Sequence, residues 1–215
     1  MAWGLPMLTA MYPEPATPKR RNQADRREAA RAALLEATLS CLAEEGWAGT
    51  STRSVARRAG LSQGAQQYHF ASKMTLVEAA LNYSVTAQAA SVLEMPLPKG
   101  SEHERLVVLL DRLWEIHCSR VTTAGLELLM AARTDPALAE SVARTTVTAT
   151  NLTVMLAEQT VPSTAKLPGF RDVVLTALAL MRGTAIAQLE GTTTAVAPWP
   201  VLRAHILAIV DSLAS

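Results

Sequence analysis

Between Thr50 and Lys73 the chain reads TSTRSVARRAGLSQGAQQYHFASK, a stretch dense in amides, hydroxyls and cations. The amide of a glutamine such as Gln63 or Gln67 can pair in bidentate fashion with the edge of adenine, whereas Ala65 can only touch a thymine methyl or leave room. The hydroxyls of Ser51 and Thr52 and the cations of Arg53 and Lys73 suit phosphate oxygens, which set register without reading sequence. Two short helices are needed to hold these groups. Ser51 is a plausible N-cap, Val55, Ala56 and Ala59 make one narrow apolar stripe, and Gly60 stands where a left-handed residue stops a helix. Ser62 caps a second helix that ends near Phe70. Two helices of this length about a glycine-containing turn are a helix-turn-helix, whose second helix enters the major groove of DNA.

Gly46, Thr50, Ser51, Val55-Ala56, Ala59-Gly60-Leu61-Ser62, Gly64, Tyr68-His69-Phe70 and Lys73 together resemble the N-terminal signature of the TetR (tetracycline-repressor) family. The resemblance implies that Gln63, Gly64, Ala65, Gln67, Tyr68 and His69 face DNA, with Ser51, Thr52, Arg53 and Lys73 on flanking phosphates. It also implies a homodimer on a palindromic duplex operator, and a small-molecule site enclosed by the helices behind the head. The chain departs from the family pattern at Gln66-Gln67, where an apolar residue followed by Tyr is usual. A Gln66 that points inward needs partners for its amide.

Charge and composition agree with a protein that turns one end toward nucleic acid. The net charge is +1, yet residues 1–73 hold ten Lys and Arg against six Asp and Glu, while residues 74–215 hold ten against thirteen. A basic end on a mildly acidic body is the footprint of one nucleic-acid-facing surface. Apolar residues make up 49% of the chain, and Ala and Leu outnumber β-branched and aromatic types, which favours helices. Cys41 and Cys118 lie 77 positions apart in apolar helical patterns, without metal spacing, and read as reduced, buried thiols. No metal, cofactor or catalytic set is expected: no Ser/His/Asp arrangement, HExxH, P-loop or dinucleotide glycine motif occurs. Neither a membrane span nor a signal peptide is expected, so the reading is cytoplasmic.

The expected architecture is all-α with about nine helices. Residues 1–18, rich in proline, read as a disordered tail; 19–73 as a three-helix DNA-binding head; and 74–215 as a ligand-binding and dimerisation bundle. A basic cluster, Lys19-Arg20-Arg21 with Arg26-Arg27, leads into a helix over 25–45 that Gly46 ends. A helix over 72–94 leaves the head and enters the body, so a ligand in the body could tilt it and change the separation of two recognition helices. Breakers at 95–101, 134–136 and 161–169 separate further helices. Tyr83, Trp114, His117, Met130, Asn151 and Met155 sit on or beside apolar stripes of the body helices and are the expected ligand contacts. The last two helices are apolar on more than one face, which marks burial. Val174, Leu178, Met181, Leu202, Ile206 and Ile209 are therefore expected at the dimer interface. The function expected is a repressor released by a small, apolar, neutral ligand; the alternative is a helix-turn-helix regulator without an effector, controlled by its abundance or by a protein partner.

Overall fold

The computed structural model describes residues 23–94, 96–189 and 196–214. The expected tail at 1–18 and the Lys19-Arg20-Arg21 half of the basic cluster lie outside them. Among the described residues the fold is all-helical: α1 (Gln23–Gly49), α2 (Thr52–Arg58), α3 (Gln63–His69), α4 (Lys73–Glu94), α5 (Glu102–His117), α6 (Arg120–Ala132), α7 (Pro136–Thr160), α8 (Phe170–Leu189) and α9 (Trp199–Asp211).

Local chemistry accounts for the boundaries. Gly46 interrupts α1 at φ 68°, ψ −179°, a region essentially closed to residues with a Cβ. A Cβ there would also stand 2.9 Å from the Glu127 carboxylate of α6. Ser101 and Glu104 form a reciprocal capping box at the start of α5. Asp135 accepts from the amides of Ala137 and Leu138 ahead of Pro136, giving α7 a cap and a pre-set first turn.

Two apolar cores result. The first joins Leu34, Leu35 and Leu42 of α1 to Val55, Phe70, Leu76, Leu128 and Leu138, so α6 and α7 share it with the head. The second joins Leu109, Leu110 and Leu113 of α5 to Phe170, Met181, Ile206 and Val210. Arg120 ties α6 to α1, donating to the Ser40 hydroxyl at 3.1 Å and pairing with Glu36.

The terminal helices correct one expectation. Leu178, Met181, Leu202 and Ile206 are buried inside the single chain, at 8, 0, 7 and 1% exposure. They pack α8 and α9 onto α5 and offer little surface to a partner. Val174 is half-buried against the same core, and only Ile209 of the expected set stands open at 36%. The outward face instead carries Leu175, Ala179 and Leu180 on α8 and Val201, Ala204 and Ile209 on α9. By length and composition α8 could cross a membrane, but it sits against the second core through Phe170, Leu178 and Met181. The thiols differ as well: Cys41 is buried, whereas Cys118 is exposed because it falls at the C-cap of α5.

Candidate nucleic-acid interface and effector cavity

The helix-turn-helix is built from short-range hydrogen bonds. Ser51 accepts from the amide of Ser54, whose hydroxyl in turn accepts from the Ser51 amide. Gly60 turns at φ 68°, and the Leu61 amide closes the turn on the Ala56 carbonyl at 2.9 Å. Ser62 accepts from the Ala65 amide and opens α3. Val55 and Ala56 bury the inner side of α2.

Gln66, fully buried, is the polar centre of this small unit. Its Nε2 donates to the Phe70 carbonyl at 3.0 Å, and its Oε1 accepts from Gln63 Nε2 at 3.2 Å. Gln63 also reaches Thr52 Oγ1 at 3.4 Å, so one amide bridges α2 and α3. The unusual glutamine is thus paired at both ends, at the expense of Gln63. That side chain is drawn inward, with its Oε1 buried and unpartnered, instead of offering a free amide to a base.

The remaining expected DNA-facing residues divide in two. Arg53, Gly64, Gln67 and Tyr68 are exposed, Tyr68 at 69%, and Ala65 is half-buried beside them. The Arg27 guanidinium lies 5.4 Å from the Tyr68 ring centre, and the His69 ring meets Tyr68 edge-on at 5.4 Å. Arg27 was legible only as part of a basic cluster. Its place over an aromatic of α3 needs the packing of α1 against the head. Arg58, by contrast, is held by Glu44 through both guanidinium nitrogens, which pushes its pKa further up and leaves little free charge for a phosphate.

Lys73 departs furthest from expectation. Its ammonium lies 3.6 Å from the centre of the Trp47 ring and donates to the Trp47 carbonyl, and burial lowers its pKa. A cation already engaged by a ring and a carbonyl is a brace between α4 and the end of α1, not a free phosphate contact.

Behind the head, a cavity of about 260 Å³ lies between the two cores, walled by α4 to α8. Of the six expected ligand contacts only His117 lines it. Trp114 stacks parallel on Trp199 at 4.8 Å, beside Asp111 and Arg203, at the seam of α5 and α9. Tyr83 packs on the first core near Glu36. Asn151 accepts from Arg171 at 3.0 Å on the outside of α7. Met130 and Met155 are 55 and 41% exposed. Helical spacing gives a residue's angle round its own helix, but the direction of the cavity depends on crossing angles that spacing does not contain. The side chains that do line it include Gln88, Thr150 and Arg182. Arg182 carried a readable signal, a lone cation inside the apolar run VVLTALALMRGTAIA.

Relatives agree with this architecture. Residues 34–80 match the family described as bacterial regulatory proteins, tetR family. The chain is 34% identical over 132 residues to the HTH-type transcriptional regulator CymR of Pseudomonas putida, covering 60% of this chain and 64% of that protein. It is 32% identical over 126 residues to an uncharacterized HTH-type transcriptional regulator of Mycobacterium bovis, covering 56% and 62%. The matched stretch thus spans less than two thirds of either relative. The crystal structure of a TetR-family transcriptional regulator from Rhodococcus sp. superposes with a TM-score of 0.63 at 26% identity, over 86% of this chain and 99% of the other. A transcriptional regulator from Saccharomonospora viridis, solved in complex with choline, shares the fold at a TM-score of 0.61 and 17% identity, over 86% and 96%. In its signature, its matched head and its all-helical body, the chain is similar to the TetR family of bacterial regulatory proteins, and residues 34–80 carry that family's match.

Proposed function

We propose that the chain is a DNA-binding transcriptional regulator, acting in the cytoplasm as a homodimer on a palindromic operator, and a repressor released by a small molecule. The observation that carries the DNA reading is the exposed α3 face, where Gln67 and Tyr68 stand clear beside Gly64 and Arg53. Gln67 supplies base readout, and Arg53 and the Thr52 hydroxyl approach phosphates. Residues 19–73 serve as the head and 74–215 as the regulatory and dimerising body. The uncovered faces of α8 and α9, centred on Leu175, Val201 and Ile209, supply the dimer contact; covering them with a second copy removes from water the apolar side chains that a lone chain exposes.

The cavity between the cores is the effector site in this reading. A regulator of the same fold has been solved with choline, so a small ligand is compatible with the architecture. Selecting binding sites from a random duplex library tests the DNA half. An inverted repeat with steeply salt-dependent affinity is expected. Failure to enrich any sequence would count against it.

A further inference from the structure

The wall of the cavity has a chemistry more particular than "apolar". Hydroxyls are numerous in it, and four of them are occupied by backbone carbonyls. Ser84 donates to the Leu81 carbonyl at 2.7 Å, Thr145 to Ser141 at 3.1 Å, Thr153 to Ala149 at 3.0 Å and Thr122 to Ile116 at 3.0 Å. A threonine whose hydroxyl bonds its own helix offers mainly its methyl group to a neighbour. Among the described residues neither Phe, Tyr nor Trp lines the space, and the one ring in the wall is the imidazole of His117, so aliphatic surface dominates.

Charge in the wall is one-sided. Among the described residues no Asp or Glu lines the cavity, and the one formally charged residue that does is Arg182, reaching in from α8. Among the described residues no ion pair to Arg182 is found. His117 lines the same space, its Nδ1 2.7 Å from the Leu113 carbonyl. That carbonyl can only accept, so Nδ1 carries the proton and leaves Nε2 for a ligand. Burial, and to a lesser degree the field of Arg182, depress the imidazole's pKa and keep it neutral.

We propose that the effector is a small aliphatic monocarboxylate, its chain lying along the Leu, Val and Thr methyl wall and its carboxylate held by Arg182. The proposal rests on reading the cavity as the effector site. A guanidinium matches a carboxylate in a two-pronged, charge-assisted geometry, and a positive ligand would meet a cation with no acid in the wall to receive it. The space is small. A cavity of about 260 Å³ falls just under the usual range of small-molecule pockets, which suits a small ligand.

The test pairs octanoate with octanamide, which share a chain and differ in charge, and measures Kd by calorimetry on the full chain. Octanoate should bind about tenfold or more tighter than octanamide, the scale of one charge-assisted hydrogen bond. Arg182 is exposed, so Arg182→Gln leaves the core intact and should abolish that preference while octanamide binding stays within about twofold. Equal affinity for the two probes, or an unchanged preference in Arg182→Gln, would overturn the carboxylate assignment. Gly125 lines the cavity, and a Cβ on it would meet nothing within 4 Å. Gly125→Leu therefore fills the void and should weaken both probes. If both bind equally and both are blocked by Gly125→Leu, the cavity stands as a ligand site and only the carboxylate falls. If neither binds, or Gly125→Leu leaves octanoate binding untouched, the effector-site reading fails and the proposal with it.

Discussion

Cations that look alike in a sequence part company once their neighbours are known. Arg53 is exposed, while Lys73 is spent on Trp47. Arg53→Ala should weaken binding to every duplex alike and reduce the salt slope by about one, as the loss of a phosphate contact does. Lys73→Ala should leave the slope unchanged and lower unfolding stability by about 1 kcal/mol, the worth of a partly desolvated cation–π contact. Titrations at several salt concentrations, beside urea unfolding, separate the two, and a slope that drops with Lys73→Ala would return it to the DNA surface. His117 gives a pH dependence. Its folded pKa lies below its ordinary 6.5, so on acidification the unfolded chain takes up the proton first. The stability held above pH 6.5 is then lost as pH falls toward the folded value. His117→Gln should flatten that limb of a stability-against-pH curve measured by chemical denaturation.

Helices were legible where the pattern is local and opaque where partners are remote. The capping residues Ser51, Ser62 and Ser101 and the breaker Gly46 act within a few positions, so the sequence displays both the cause and its result. Gly46→Ala tests that reading at an element boundary. The conformation at φ 68°, ψ −179° should make the substitution cost about 1–3 kcal/mol, read as a lower urea midpoint at unchanged slope. The ligand contacts failed for the opposite reason. Trp114, Met130, Asn151 and Met155 sit at sound helical positions on α5, α6 and α7, yet Trp114 faces the seam with α9 and the other three face outward. The link between head and body also escaped the sequence. The helix over 72–94 was the visible connection, but α6 lies along α1, tied by Arg120 to Glu36 and Ser40, and it walls the cavity through Val121, Gly125 and Leu128. A ligand that shifts α6 therefore acts on the head directly, alongside any tilt of α4.

At the scale of the whole molecule the question is which apolar surface a second copy would cover. Apolar residues recur all round α8 and α9, and sequence alone does not divide those that close the chain on itself from those left outside. The structure divides them: Leu178, Met181, Leu202 and Ile206 face inward, and Leu175, Val201 and Ile209 remain open at 37, 43 and 36%. Charge placed on the two sets has different consequences. Leu178→Asp buries an unpaired carboxylate in the second core and should give unfolded or insoluble protein. Leu175→Asp with Ile209→Asp leaves that core intact, so circular dichroism should show native helix content while sedimentation velocity shows monomers. A dimer sets two recognition helices about 34–36 Å apart, one turn of the duplex. A folded monomer retains one head, so it should lose most operator affinity yet still bind a single half-site weakly. Dimers that persist in the outward double variant would move the interface to another face of the molecule.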